Sequence, residues 1–271
     1  MADQGFAEFE RKWLDAWPEN RIVAVFLDPG QRVLDHAFYA LIHELSRTAF
    51  YLHEPHVASA KLQWWRQELA DGAAGRARHP LTQVLFAHAQ ARAVVDAALW
   101  PMLGAAALTQ VEPLAAATFD ELLDRHAPYY EVIARIESAL LLAGPGTSAN
   151  ATLWTLSHLL HSVREWHDGG ASAPLNLLAR HGLTRAKLAE ASPARVGLLR
   201  DLLGEIERGL AAEDTHAPRP LGRRVRLALD RTLVAGALKA ADPLRYLQVS
   251  ARAGHWRSLW TAWREARKAM R

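Results

Sequence analysis

Apolar positions recur with the period of an α-helix at both ends of the chain. Phe6, Phe9, Trp13 and Trp17 form one stripe, and Trp256, Leu259, Trp260 and Trp263, at i, i+3, i+4 and i+7, form another. Between them Ala, Leu, Arg and Glu are abundant, and no run of β-branched residues alternates as a strand would. Helix breakers punctuate the chain at Pro18, Pro29-Gly30, Pro55, Gly72 to Gly75, Pro80, Pro101, Pro113, Gly144-Pro145-Gly146, Gly169-Gly170, Gly182, Pro193, Pro218 to Pro220 and Pro243. The spacing predicts helices near 4–16, 31–53, 56–70, 81–99, 118–142, 148–167, 174–181, 192–213, 219–240 and 251–269. The loops at 72–77 and 213–219 are too short to link domains, and no repeat of 20–50 residues is visible. The expectation is an all-α, single-domain helical bundle over residues 1–271.

Composition changes this picture little. Half the residues are apolar and 23% are charged, enough to build a core. Lys and Arg number 32 against 29 acids, and no basic block marks a nucleic-acid surface, so nucleic acid is excluded as a partner. Cysteine is absent, which removes disulfides and thiolate metal sites. The N-terminal segment carries Asp3, Glu8, Glu10 and Asp15 before Trp17, unlike a signal peptide. The longest apolar run, Ala97 to Leu108, is interrupted by Pro101 and is too short to span a bilayer. A cytoplasmic protein is expected.

The segment "KLQWWRQEL" (61–69) sets Trp64 and Trp65 side by side on a helix, about 100° apart. One indole should enter the core and the other line a cavity or a neighbouring helix, with Arg66 paired to an acid. Together with "FYALIHEL" (38–45), "HPLTQVL" (79–85) and "APLNLLARHGL" (173–183), in that order, the segment resembles the squalene/phytoene synthase family. These are head-to-head prenyltransferases of the all-α isoprenoid (terpenoid) synthase fold. The resemblance runs roughly from Arg21 to Gly182. It implies a helical bundle with a central cavity, where two facing helices each carry an aspartate-rich motif. Mg²⁺ ions then bridge those carboxylates to the diphosphate and stabilise it as it leaves, while apolar walls shield the allylic cation.

This chain departs from the family at those motifs. The first motif falls at 46–50, where the residues are Ser46, Arg47, Thr48, Ala49 and Phe50. The second falls at 165–169, where only Glu165 and Asp168 remain as acids. The preceding amide pair of the family corresponds to His158 and His161. The Mg²⁺ that the family uses is thus left with few ligands, and loss of charge stabilisation of this kind costs several kcal/mol of barrier. The resemblance therefore implies a catalytically degenerate member that binds an isoprenoid, as a prenyl chain or prenyl diphosphate, or serves as an assembly or partner-binding factor. One branch of the family serves respiratory complex I assembly in that way.

Other readings stay open at this stage. An active prenyltransferase with a rearranged diphosphate site would use Glu165, Asp168 and basic residues. His158, His161 and Glu165, with Asp168 on the same predicted stripe and His43 or Glu44 opposite, are candidate ligands for a transition metal. Arg47 and Arg164, with Lys61 and Arg66, are candidates to bind phosphate without metal. Tyr39, His43, His158 and His161 complete the candidate ligand-binding set. At the C-terminus, residues 251–269 predict a basic amphipathic helix. Its tryptophans, Trp256, Trp260 and Trp263, either close the bundle or contact an anionic membrane surface or a protein partner, with Arg257, Arg264, Arg267, Lys268 and Arg271 largely off their stripe.

Overall fold

The computed structural model describes residues 2–112, 115–142, 148–168, 173–213, 217–250 and 255–269. Their regular elements are all helices, with no strand among them. In chain order the helices are α1 (Ala2–Ala16), α2 (Glu19–Val23), α3 (Pro29–Tyr51), α4 (Pro55–Ala73), α5 (Pro80–Ala87), α6 (Ala89–Ala93), α7 (Leu99–Leu108), α8 (Phe119–Leu141), α9 (Ser148–Ser162), α10 (Leu175–Arg180), α11 (Pro193–Ala212), α12 (Leu221–Lys239), α13 (Pro243–Ser250) and α14 (His255–Ala269). Contacts group the chain into two compact units, each assembled from separate stretches.

Proline sets many of the starts. Pro29, Pro55, Pro80, Pro193 and Pro243 each open a helix, where a missing N–H costs nothing and the fixed φ suits the first turn. Pro101 acts in the same way. It was expected to interrupt residues 97–108, but it lies in the first turn of α7, whose backbone bonding begins with Met102 N–H donating to Ala98 O. The predicted helix 81–99 is divided into α5 and α6 at His88, which has an extended backbone. Three helices, α2, α7 and α13, are additional to the prediction.

The first unit comprises Met1–Pro113, Pro128–Ala151 and Pro218–Pro220. Its core is drawn from one face of each helix: Leu34, Phe38, Leu41 and Leu45 of α3, Leu62, Trp65 and Leu69 of α4, and Leu81 and Leu85 of α5. Helices α4 and α7 approach closely at Gly104, where a Cβ would lie 2.7 Å from the Arg66 Cα. The second unit comprises Leu114–Ala127, Thr152–Ala217 and Leu221–Arg271. Leu153, Leu156 and Leu160 of α9 pack with Leu199, Leu202, Leu203 and Ile206 of α11 in one apolar cluster. Here α10 ends on Gly182 at φ +62°, the left-handed position that glycine takes without steric cost, with Leu183 N–H returning to Leu178 O.

Candidate functional site

The family-like segment of α4 is a packing device. Trp65 is sealed in the core at 1% exposure, whereas Trp64, one residue away, is 48% exposed. The rings meet edge to face at 5.1 Å, and His79 contacts both, at 5.8 Å from Trp64 and 4.6 Å from Trp65. Glu68, buried one turn further on, fixes the next corner: its Oε1 accepts from Arg78 N–H, His79 N–H and the Thr82 hydroxyl. Trp64 therefore faces outward beside His79. Arg66 is exposed, and its backbone packs against α7 at Gly104. No carboxylate among the described residues pairs with it, contrary to expectation.

Five candidates lie along α3 in the first unit. The buried Tyr39 stacks on Trp13 at 5.8 Å, and its hydroxyl donates to Glu137 Oε1 at 2.7 Å, inside the core. Glu137 is fully buried, and this phenol bond accounts for one of its oxygens. One turn along, burial and then the nearby charge of Arg47 push the His43 imidazole down to about 4, so its neutral form prevails at pH 7. Ser46 shares a 3.0 Å hydrogen bond with the Tyr129 hydroxyl. Burial raises the Tyr129 phenol above its ordinary range, opposed by that bond. Phe50 meets Tyr129 edge to face at 5.9 Å and lies parallel to Tyr130 at 6.5 Å. Arg47 is exposed and sits over the Tyr51 ring at 5.0 Å.

The α3 positions of the expected first motif thus hold a hydroxyl bonded to a phenol, a guanidinium over a ring, and a phenyl group packed on two tyrosines. None offers a carboxylate oxygen, the donor that Mg²⁺ prefers, so these residues do not fit the ion. The nearest acid on the helix, Glu44, is 3.8 Å from Lys61 Nζ.

The other candidates belong to the second unit. α9 ends at Ser162, and Val163–Asp168 continue as a tighter 3₁₀ helix, so the α-helical offsets that put His158, His161, Glu165 and Asp168 on one stripe do not hold. The side chains of Glu165 and Asp168 lie outside the described residues. His158 packs edge to face on His126 at 5.2 Å. Burial pushes both rings down, His126 to about 4 with help from the Arg125 charge, and His158 well below its ordinary value with help from His126 and His161.

His161 joins a different group. Its Nε2 lies 2.9 Å from Asp230 Oδ1, and its Nδ1 lies 3.2 Å from an Arg164 guanidinium nitrogen. Arg226 Nη1 lies 3.2 Å from the same Nε2, so a guanidinium group faces each ring nitrogen of His161. Arg226 bonds the same Asp230 oxygen at 3.4 Å. Burial would raise the wholly buried Asp230 carboxyl. The charges of His161 and Arg226, with hydrogen bonds from His161 and Ser157, prevail and hold it below the usual carboxylate range. The Arg164 carbonyl in turn accepts from the Gln248 amide at 3.3 Å.

His158 and His161 therefore serve separate clusters. Among the described residues no group of three or more His, Asp or Glu side chains is placed to hold a metal. Tyr129, Tyr130, Glu137, His126, Arg226 and Asp230 were not singled out as site residues from sequence. Of these, Tyr129 and Tyr130 form a doublet directly after Pro128 in the chain.

No family model and no curated protein sequence matches the chain. Solved structures do. A dehydrosqualene synthase, crystallised in complex with a ligand, superposes with a TM-score of 0.72 at 15% identity, covering 99% of this chain and 97% of that one. The squalene synthase HpnC from Alicyclobacillus acidocaldarius gives a TM-score of 0.59 at 14% identity, covering 93% of this chain and 95% of that one. This is the all-α isoprenoid-synthase fold. The fold expected from the ordered motifs is the fold observed.

Proposed function

We propose that this protein is a catalytically degenerate relative of the squalene and phytoene synthases that binds an isoprenoid, as a prenyl chain or prenyl diphosphate, without condensing two of them. The full-length likeness to a dehydrosqualene synthase and a squalene synthase supports the ligand class. The observation that carries the reading is the Ser46–Tyr129 hydrogen bond with Phe50 packed over Tyr129 and Tyr130. Where the resembling enzymes gather Mg²⁺ with carboxylates, α3 carries a hydroxyl, a guanidinium and a phenyl group. Aromatic packing of this kind suits a prenyl chain, and the exposed Arg47 is left as a cation for a diphosphate without the carboxylates that would gather Mg²⁺ around it as it departs.

Farnesyl or geranylgeranyl diphosphate with Mg²⁺ should yield no pyrophosphate, while the same compounds, and the matching prenyl alcohols, should bind saturably in calorimetry. Sustained pyrophosphate release that disappears in Glu165→Ala and Asp168→Ala would sink the degenerate reading in favour of an active enzyme with a rearranged site. Absence of binding by every prenyl compound would remove the isoprenoid assignment itself.

A further inference from the structure

We propose that the outward face of α14 is a docking surface for an anionic lipid bilayer. Sequence periodicity left two roles for its tryptophan stripe, closing the bundle or meeting something outside. The helix packs along α12 through small residues instead: Ala262 is fully buried, and Ala266 and the acid Glu265 are nearly so. The large side chains point away. Leu259 is 42% exposed, Trp260 62% and Trp263 38%, so the stripe does not close the unit. Trp256 lies outside the residues whose side chains are described.

Exposure alone does not name an occupant; the charge pattern does. Trp260 and Trp263 stack at 4.9 Å with 30° between their planes. The Arg267 guanidinium lies over the Trp263 ring at 4.8 Å, and Arg264 stands half exposed on the same side. The helix carries Arg257, Arg264, Arg267 and Lys268 against one acid, Glu265, and that acid is turned inward with Arg264 at 3.4 Å. The outward face therefore mixes indoles with cations and presents no carboxylate.

A helix that fills a protein groove keeps its apolar knobs dry and its charges at the rim. Here the Arg267 guanidinium lies directly over an indole. In the headgroup layer that mixture is satisfied at once: indoles rest at the boundary with the acyl chains, and guanidinium groups reach the phosphates. The helix is too polar to cross the membrane, and no described helix is long and apolar enough to do so. It would lie flat on the surface, its attraction rising with the anionic lipid fraction and falling with salt.

Flotation of the full-length protein with phosphatidylcholine vesicles, made with and without phosphatidylglycerol, tests this. The protein should float with the anionic vesicles, stay behind with the neutral ones, and be released by high salt. Trp260→Ser/Trp263→Ser should weaken partitioning at least about tenfold, because two indoles lose their burial in the interface. Arg267→Glu should weaken it too. Circular dichroism should show both variants folded, since these side chains face outward. Equal flotation with both lipids, none with either, or an unchanged tryptophan double variant overturns the proposal. So does a self-associated species in sedimentation velocity that the double variant converts to monomer, which would assign the face to a second copy of the chain.

Discussion

Asp230 shows how strongly one side chain can be committed. It is wholly buried, yet two cationic or donating neighbours, Arg226 and His161, converge on the same oxygen. Removing it takes a buried acceptor from a guanidinium and an imidazole together. Asp230→Ala should therefore cost about 3–5 kcal/mol in denaturant unfolding, the range for breaking a buried pair from one side. Asp230→Asn keeps an acceptor oxygen at the same place and should cost clearly less. Equal losses in the two variants would mean that the carboxylate serves space filling rather than pairing. Nothing in the local sequence around His161 announces this partner, since the two residues lie 69 positions apart and on different helices. The same holds for Tyr39 and Glu137, separated by 98 positions. Such pairs become visible only when the fold has brought them together, whereas the positions of Ser46, Arg47 and Phe50 could be read from the chain because they are neighbours on one helix.

Helices and their contacts carry the next scale. The closest approach of α4 and α7 is at Gly104, and the opposing atoms are backbone atoms of Arg66. A methyl group there cannot be accommodated by swinging a side chain aside, so the helices must separate. Gly104→Ala should destabilise by about 1–3 kcal/mol despite the better helix propensity of alanine, as overpacking does. A melting temperature equal to or above the wild type would show that α7 can slide freely. Helix boundaries were mostly legible because proline marks the first turn of so many elements. Pro101 misled for the same reason: sequence alone does not say whether a proline ends one helix or begins another. The broken stripe of α9 was illegible too, because the change from α to 3₁₀ winding after Ser162 leaves no breaker residue to read.

For the molecule as a whole, acid is the condition that should find weakness in both units. His43 in the first unit and His126 in the second titrate at about 4 when folded, against an ordinary 6.5, and His158 moves in the same direction. The unfolded chain takes up these protons first, so stability is unaffected above pH 6.5, falls as the pH drops from 6.5 towards 4, and levels off below. His126 alone should account for roughly 3 kcal/mol across that window, the free energy of a shift of this size. Asp230 acts lower: its depressed carboxyl contributes stability above its unfolded value, near pH 4, and that contribution is lost as the pH falls through the folded value. Unfolding free energies measured from pH 7.5 down to 4.5 should drop more steeply for the wild type than for His126→Gln. Parallel curves would assign the acid sensitivity elsewhere. The fold at this scale was legible because four short segments resemble those of one all-α family in their order and spacing along the chain.

The tryptophan pair on α4 has an optical consequence. Its two indoles share one histidine neighbour, but Trp64 is open to solvent and Trp65 is sealed. An aqueous quencher should therefore extinguish the red-shifted emission of Trp64 and spare the blue-shifted emission of Trp65. A difference spectrum against Trp64→Phe would then make the corner at His79 a built-in fluorescent gauge of whether this end of the first unit stays closed.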